Sequence, residues 1–263
     1  HDYLQEAYER GAVAAIVSRP CAHPLSYLFV GDTLVAYARV ASFFRQQVKC
    51  PVVALTGTCG KTTVKSMLGH LLTHFGETLM THANHNNQVG VPQTLVRLRA
   101  KHQYAVVEVG ANHVGEIAQM AAVIEPDVAL ITNIGHGHLE GFGGIHHVMK
   151  EKSALLSHLR PNGVAVLNLD QSYIDDMKKR LEYGQNVVTF GLNPDADVRA
   201  EDVLVNQQGY ASFTLVCHGR SITRVQLSLL GQHQITNSLA ALAVCHALGV
   251  DLVKAASKLA TLP

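Results

Sequence analysis

Val52-Val53-Ala54-Leu55-Thr56-Gly57-Thr58-Cys59-Gly60-Lys61-Thr62-Thr63 is the stretch that decides how this chain reads. A short apolar run predicts a buried strand, which breaks at two glycines and reopens as a helix over 62–75. Glycines let a backbone come close to a ligand, and loop amides with a helix N-terminus attract phosphate. The lysine neutralises phosphate charge and a threonine hydroxyl can reach Mg²⁺. The spacing departs from the general G-x-x-x-x-G-K-[ST] pattern, because Leu55 stands five positions before Gly60. A plain glycine-containing turn is the alternative. The order strand, loop, Lys-Thr-Thr, helix favours phosphate binding by Gly57, Thr58, Cys59, Gly60, Lys61, Thr62 and Thr63.

Outward from this loop the pattern repeats. Strands are expected at 78–81, 104–109, 128–132, 164–168 and 187–190, with helices at 115–124, 145–159 and 171–181 between most of them. Continuous apolar strands alternating with helices predict an α/β fold whose mainly parallel sheet is covered on both faces. Residues 210–216 and 221–229 alternate as a small antiparallel β segment around His218-Gly219, and helices follow at 233–248 and 252–259. Upstream lie a short helix (4–10), a buried strand (12–17), a second strand (26–30) and a helix capped by Asp32. Lys49-Cys50-Pro51 marks a boundary, since the residue before proline avoids helical geometry. About 50 residues make a poor independent domain. Residues 1–50 therefore read as part of an α/β N-terminal domain, separate from 51–263. Both chain ends look like cuts through something longer.

Two further loops should open on the same sheet edge, where parallel sheets hold ligands. Glu108 ends one strand, before Val109-Gly110-Ala111-Asn112-His113, and a carboxylate there suits Mg²⁺; capping of the next helix is the alternative. Asn133-Ile134-Gly135-His136-Gly137-His138 leaves another strand, and its H-x-H pair could bind a metal, though exposed histidines usually do nothing. Asn84, Asn86 and Asn87 follow the strand at 78–81 and suit either substrate positioning or an Asx-rich turn. Lys152 and Asn237 lie on helices, where solvation and packing are the ordinary roles.

Composition narrows the partners. Of 263 residues, Lys and Arg total 21 against 20 Asp and Glu, a net charge of +1 that draws the chain neither to nucleic acid nor to membrane. No apolar run reaches the ~20 residues of a membrane span. Five cysteines, none at C-x-x-C spacing, argue against a disulfide framework and for a reducing, cytoplasmic setting.

Together, T-G-T-x-G-K-T-T, Asn84 to Pro92 (N-H-N-N-Q-V-G-V-P), Glu108 to Ile117 (E-V-G-A-N-H-V-G-E-I) and His138 to Gly143 (H-L-E-G-F-G) resemble the Mur ligase family. These are ATP-dependent amide-forming enzymes of peptidoglycan precursor synthesis. G-A-N-H-x-G-E-I is similar to the branch that joins D-alanyl-D-alanine to UDP-N-acetylmuramoyl-tripeptide. The resemblance implies that 51–263 form a central, P-loop ATP-binding domain and 1–50 part of an N-terminal UDP-sugar-binding domain, with an acyl-phosphate mechanism and a cytoplasmic monomer. It implies that Lys61 contacts the ATP phosphates, that Thr62 and Glu108 bind Mg²⁺, and that His138 serves a second Mg²⁺. Lys152 matches a lysine that becomes carbamylated, Asn237 matches the adenine-recognising residue, and Asn84, Asn86, Asn87, Asn112 and His113 are expected at the substrate. Gln234 stands where asparagine is usual. The family's C-terminal domain is missing, so this stretch alone is expected to bind ATP weakly and not to ligate. A folylpolyglutamate-type ligase, a P-loop kinase and a non-catalytic nucleotide-binding module are the rival readings; a strand ending in glutamate rather than Walker-B aspartate weighs against the kinase.

Overall fold

A computed structural model describes residues 1–135 and 144–262. It begins with helix α1 (Leu4–Glu9) and strands β1 (Ala14–Val17) and β2 (Ser26–Phe29), which pair in parallel as a separate two-stranded sheet. Helix α2 (Thr33–Gln46) follows, its N-terminus capped by the Asp32 carboxylate accepting from the amides of Leu34 and Val35.

Among the described residues the main sheet has nine strands. In chain order they are β3 (Val52–Thr56), β4 (Thr78–Met80), β5 (Tyr104–Glu108), β6 (Val128–Ile131), β7 (Val164–Asn168), β8 (Asn186–Gly191), β9 (Val198–Val205), β10 (Tyr210–Cys217) and β11 (Arg220–Leu230). Spatially they run β11-β10-β9-β8-β7-β6-β3-β5-β4. Pairing is parallel from β4 across to β9, and β10 pairs antiparallel with both β9 and β11. The antiparallel segment is thus an edge of the same sheet.

Alternation along β3 explains its unbroken apolar sequence. Val53 and Leu55 enter one core, with Val64, Met67, Leu68 and Leu71 of α3 (Lys61–Thr73) and the apolar side of α8 (His233–Ala247). Val52 and Ala54 enter a second core on the opposite face, with α4 (Gly90–Leu95), α5 (Glu116–Ile124) and α6 (Ile145–Ser153). A strand covered on both sides needs apolar residues at every position. Complete burial of a side chain such as Leu55 is worth roughly 1.5–3 kcal/mol.

Three local expectations need correction. The strand at 12–17 shrinks to Ala14–Val17 and only Val17 is buried, because it pairs with a single neighbour and no layer covers its outer face among the described residues. The helix at 145–159 ends at Ser153, whose hydroxyl bonds back to the carbonyls of Met149 and Lys150; a 3₁₀ turn (Leu156–His158) completes the segment. The helix at 171–181 contracts to α7 (Ile174–Lys178), in which only Ile174 and Met177 are buried, a single turn of apolar face. The last helix, α9 (Leu252–Lys258), lies close to its expected bounds.

Candidate functional site

β6, β3 and β5 are adjacent and parallel, so the loops leaving them share one edge. The register sets Leu55 beside Glu108 and Thr56 beside Ile131. The loop after β3 passes close enough to Thr132 that a Cβ on Gly57 would stand 1.9 Å from the Thr132 hydroxyl. Gly60, at φ +82°, turns the chain into α3, and a Cβ there would lie 2.6 Å from Asn237 Oδ1. Close approach to Thr132 and the Asn133 backbone demands glycine at 57, and the left-handed backbone demands it at 60. Asn133 holds the loop from the β6 side: its carbonyl accepts from the Thr58 amide (3.0 Å) and its Oδ1 from the Cys59 amide (2.9 Å). The Gly135 amide donates to Thr58 Oγ1.

Glu108 is 1% exposed. Its Oε1 accepts from Asn86 Nδ2 (2.8 Å) and the Thr62 hydroxyl (3.2 Å). Its Oε2 lies 3.2 Å from the Lys65 ammonium, whose charge compensates it, yet that contact lacks hydrogen-bond geometry and Oε2 has no hydrogen-bond partner. A buried carboxylate oxygen with free lone pairs, next to a hydroxyl oxygen, is a hard donor set that fits Mg²⁺. Capping of α5 falls to other carboxylates. Glu116 takes the amides of Asn112 and His113, and Glu151 those of Gly115 and Ile117.

A cavity of about 410 Å³ opens in front of this cluster, lined by Lys61, Asn84, Asn86, Asn87, Asn112, His113 and Lys152 among others. Lys61 donates to the carbonyls of Gly57 (2.8 Å) and Thr58 (3.2 Å) at the cavity wall. Burial lowers its pKa, with Glu108 and Cys59 opposing. Lys152, from α6, is buried and is pushed down to about 8 by burial first and by the Lys61 charge second. Glu151 opposes this only in part, its two oxygens being engaged by α5 amides. On the other side of the loop a second cavity, about 540 Å³, is lined by Cys59, Gly60, Thr63, Asn133, Phe190, Asn237 and neighbouring residues. Asn237 Nδ2 donates to Gln234 Oε1 there (2.9 Å). The phosphate-type loop thus forms the wall between a polar cavity and a half-apolar one.

The profile of the Mur ligase middle domain matches residues 55–245. The chain belongs to the Mur ligase family. The UDP-N-acetylmuramoyl-tripeptide–D-alanyl-D-alanine ligase of Escherichia coli strain K12 is 42% identical over 260 residues, covering 97% of this chain and 56% of that protein. The crystal structure of MurF from Acinetobacter baumannii superposes with a TM-score of 0.93 at 35% identity, over 100% of this chain and 57% of that one. MurF from Thermotoga maritima, solved in complex with ADP, gives 0.84 at 29% identity, over 98% and 60% respectively. This Mur ligase chain therefore spans little more than half the length of those relatives.

Of the residues expected at the site of this Mur ligase, Cys59, Gly60, Lys61, Thr63, Asn84, Asn86, Asn87, Asn112, His113, Lys152 and Asn237 line one of the two cavities, Thr62 bonds to Glu108, and Gly57 and Thr58 line neither but accept from Lys61. His138, with the rest of 136–143, lies outside the described residues. Sequence reasoning missed Lys65, the buried partner of Glu108, and Asn133, which holds the loop. Lys65 had a signal: it stands three residues after Thr62, on the same helix face, inside a run of buried apolar residues. Asn133 was visible only as one polar residue of a loop.

Proposed function

We propose that this chain is the ATP-binding part of a ligase that joins D-alanyl-D-alanine to UDP-N-acetylmuramoyl-tripeptide in peptidoglycan precursor synthesis, acting as a cytoplasmic monomer. Residues 1–50 are read as part of its UDP-sugar-binding domain and 51–263 as its ATPase domain. The observation that carries the reading is the polar cavity shared by Lys61, Lys152 and the asparagines, with the buried Glu108 bonded to the lining residue Asn86 behind its wall. The resemblance of G-A-N-H-x-G-E-I and the 42% identity to a ligase of that name support the substrate pair.

In this reading the loop amides 57–63 and the N-terminus of α3 hold the ATP phosphates, and Lys61 offsets charge on the transferring group. Asn237 takes the adenine in the second cavity. The terminal carboxylate of the tripeptide attacks the γ-phosphorus, ADP leaves, and an acyl phosphate remains. The amine of D-alanyl-D-alanine then attacks that carbonyl and inorganic phosphate departs. Asn84, Asn86, Asn87, Asn112 and His113 orient the peptide end. Thr62 and Glu108 would hold one Mg²⁺, and His138 with Lys152 a second. Bound Mg²⁺ supplies Lewis-acid neutralisation of phosphate charge. A Lys152 amine that is partly neutral near pH 8 adds to CO₂ and loses a proton, becoming an anionic carbamate suited to a metal-facing role.

The test is ligation by the full-length protein, with phosphate release measured for UDP-N-acetylmuramoyl-tripeptide plus D-alanyl-D-alanine, plus single amino acids, and for folates plus glutamate. Turnover confined to the dipeptide is expected. Turnover only with a single amino acid or with folate would replace the assignment by a sibling ligase.

A further inference from the structure

Away from both cavities, three soft or borderline metal donors meet at the far end of α8. Cys217 ends β10, His218 occupies the turn into β11, and His246 lies in the last turn of α8. His246 is nine residues beyond Asn237, roughly 14 Å along the helix axis at 1.5 Å per residue. Taking one donor atom from each residue, all three lie within 4.8 Å of one another. The two Nε2 atoms of His218 and His246 are 3.0 Å apart, and Cys217 Sγ is 3.8 Å from His246 Nδ1.

The surroundings favour a ligand set over a chance cluster. Asp197 is fixed by Thr189, whose amide (2.8 Å) and hydroxyl (2.7 Å) both donate to its Oδ2. Its Oδ1 faces His218 Nδ1 at 3.3 Å, and its carbonyl accepts from the His218 amide at 2.8 Å. The carboxylate thus flanks Nδ1, without hydrogen-bond geometry, on the side where carboxylates sit against metal-bound imidazoles, and Nε2 is the outward nitrogen. That nitrogen points at His246. Cys217 is buried while His218 is open to solvent, so an ion between them would have a protein wall on one side and room for water on the other.

We propose that Cys217, His218 and His246 bind one transition-metal ion of the Zn²⁺ class, stapling the β10–β11 turn to the end of α8. Tetrahedral Zn²⁺ with bonds of about 2.0–2.1 Å to nitrogen and 2.3 Å to sulfur separates two nitrogens by about 3.3 Å and nitrogen from sulfur by about 3.6 Å. The imidazole pair already stands near its distance. The sulfur, within 4.8 Å of a donor nitrogen of each imidazole, closes on the ion by a χ1 rotation, releases its proton to water, and binds as thiolate; a water completes the four ligands. The ion bonds no group that touches nucleotide or peptide, so its role is to stiffen the sheet edge.

The probe is Co²⁺, titrated into tag-free protein that has been stripped with a chelator, followed by displacement with Zn²⁺. One equivalent is expected to give the visible bands of a tetrahedral site and a sulfur-to-metal charge-transfer band, both removed by Zn²⁺. Cys217→Ser abolishes the charge-transfer band. His246→Ala weakens binding by at least about a hundredfold, whereas His70→Ala, on α3, leaves it unchanged. His218→Asn guards against loss of fold, because asparagine tolerates the left-handed backbone of that position (φ +46°). It should retain the wild-type circular dichroism and lose tight binding. Absence of saturable binding, or affinity unaltered in His218→Asn, would overturn the proposal.

Discussion

The β3–β5–β6 edge and the β1–β2 layer are both built from short apolar strands, and they end in opposite environments. Every residue of β3 is buried, and the loop that follows is held by hydrogen bonds to Thr132, Asn133 and Gly135 of the segment after β6. In β2 every residue is exposed, with Leu28 at 62% and Phe29 at 59%. An apolar strand is buried only when layers cover its faces; hydrophobicity permits burial and topology decides it. Between these regions α2 packs on the second core. Arg45, fully buried, donates to the carbonyls of Ile124 and Glu125 and pairs with Asp127 at 2.7 Å.

The strongest way to break this contrast is Glu108→Ala. It strands the Lys65 ammonium in the interior, and loss of one partner of a buried pair costs about 3–5 kcal/mol. Chemical denaturation should register that loss, and a change under about 1 kcal/mol would show the pair to be solvated. Lys61→Ala should leave folding intact and raise the barrier to ATP turnover in the full-length protein by ~3–4 kcal/mol, 10²–10³ in rate. Near-normal phosphate release would refute the loop's role.

Lys152 sharpens the comparison through pH. Its folded pKa is about 8 against an ordinary 10.5. Below 8 the folded protein carries a buried ammonium and bears the whole penalty. Between 8 and 10.5 the unfolded chain holds a proton that the folded chain lacks, so stability rises with pH and levels off above that window. Lys152→Met should flatten this rise, which amounts to on the order of 3 kcal/mol, in metal-free buffer depleted of CO₂. Identical slopes in the two proteins would show that Lys152 keeps its ordinary pKa. The smallest effect belongs to the exposed layer: Leu28→Ser should stay within about 0.5 kcal/mol of wild type by the same denaturation assay. A larger loss would mean that something covers β2 in solution.

Much of this was legible in the linear chain. Strand β3 and strand β7 have the expected bounds, and the loop with Lys61 and Thr62 could be read because strand, glycines and helix N-terminus are neighbours in sequence. Asn84 and Glu108 could be placed on the ligand edge because one follows and the other ends an apolar strand of a parallel sheet. The burial of the first strand could not be read, since it depends on what lies opposite. Nor could the length of the helix at Ile174–Lys178, which follows from how few of its residues find a core.

By itself, the sequence determined the α/β alternation, the phosphate-type loop and the residues available for chemistry, all of which rest on contacts between near neighbours. Tertiary structure alone decided that Lys65 would meet Glu108 from 43 positions away, that Asn237 would stand against Gly60, and that two imidazoles and a thiol would converge at 217, 218 and 246. Such meetings depend on strand order and register, which bring remote segments within a few ångströms and leave no local mark on the chain.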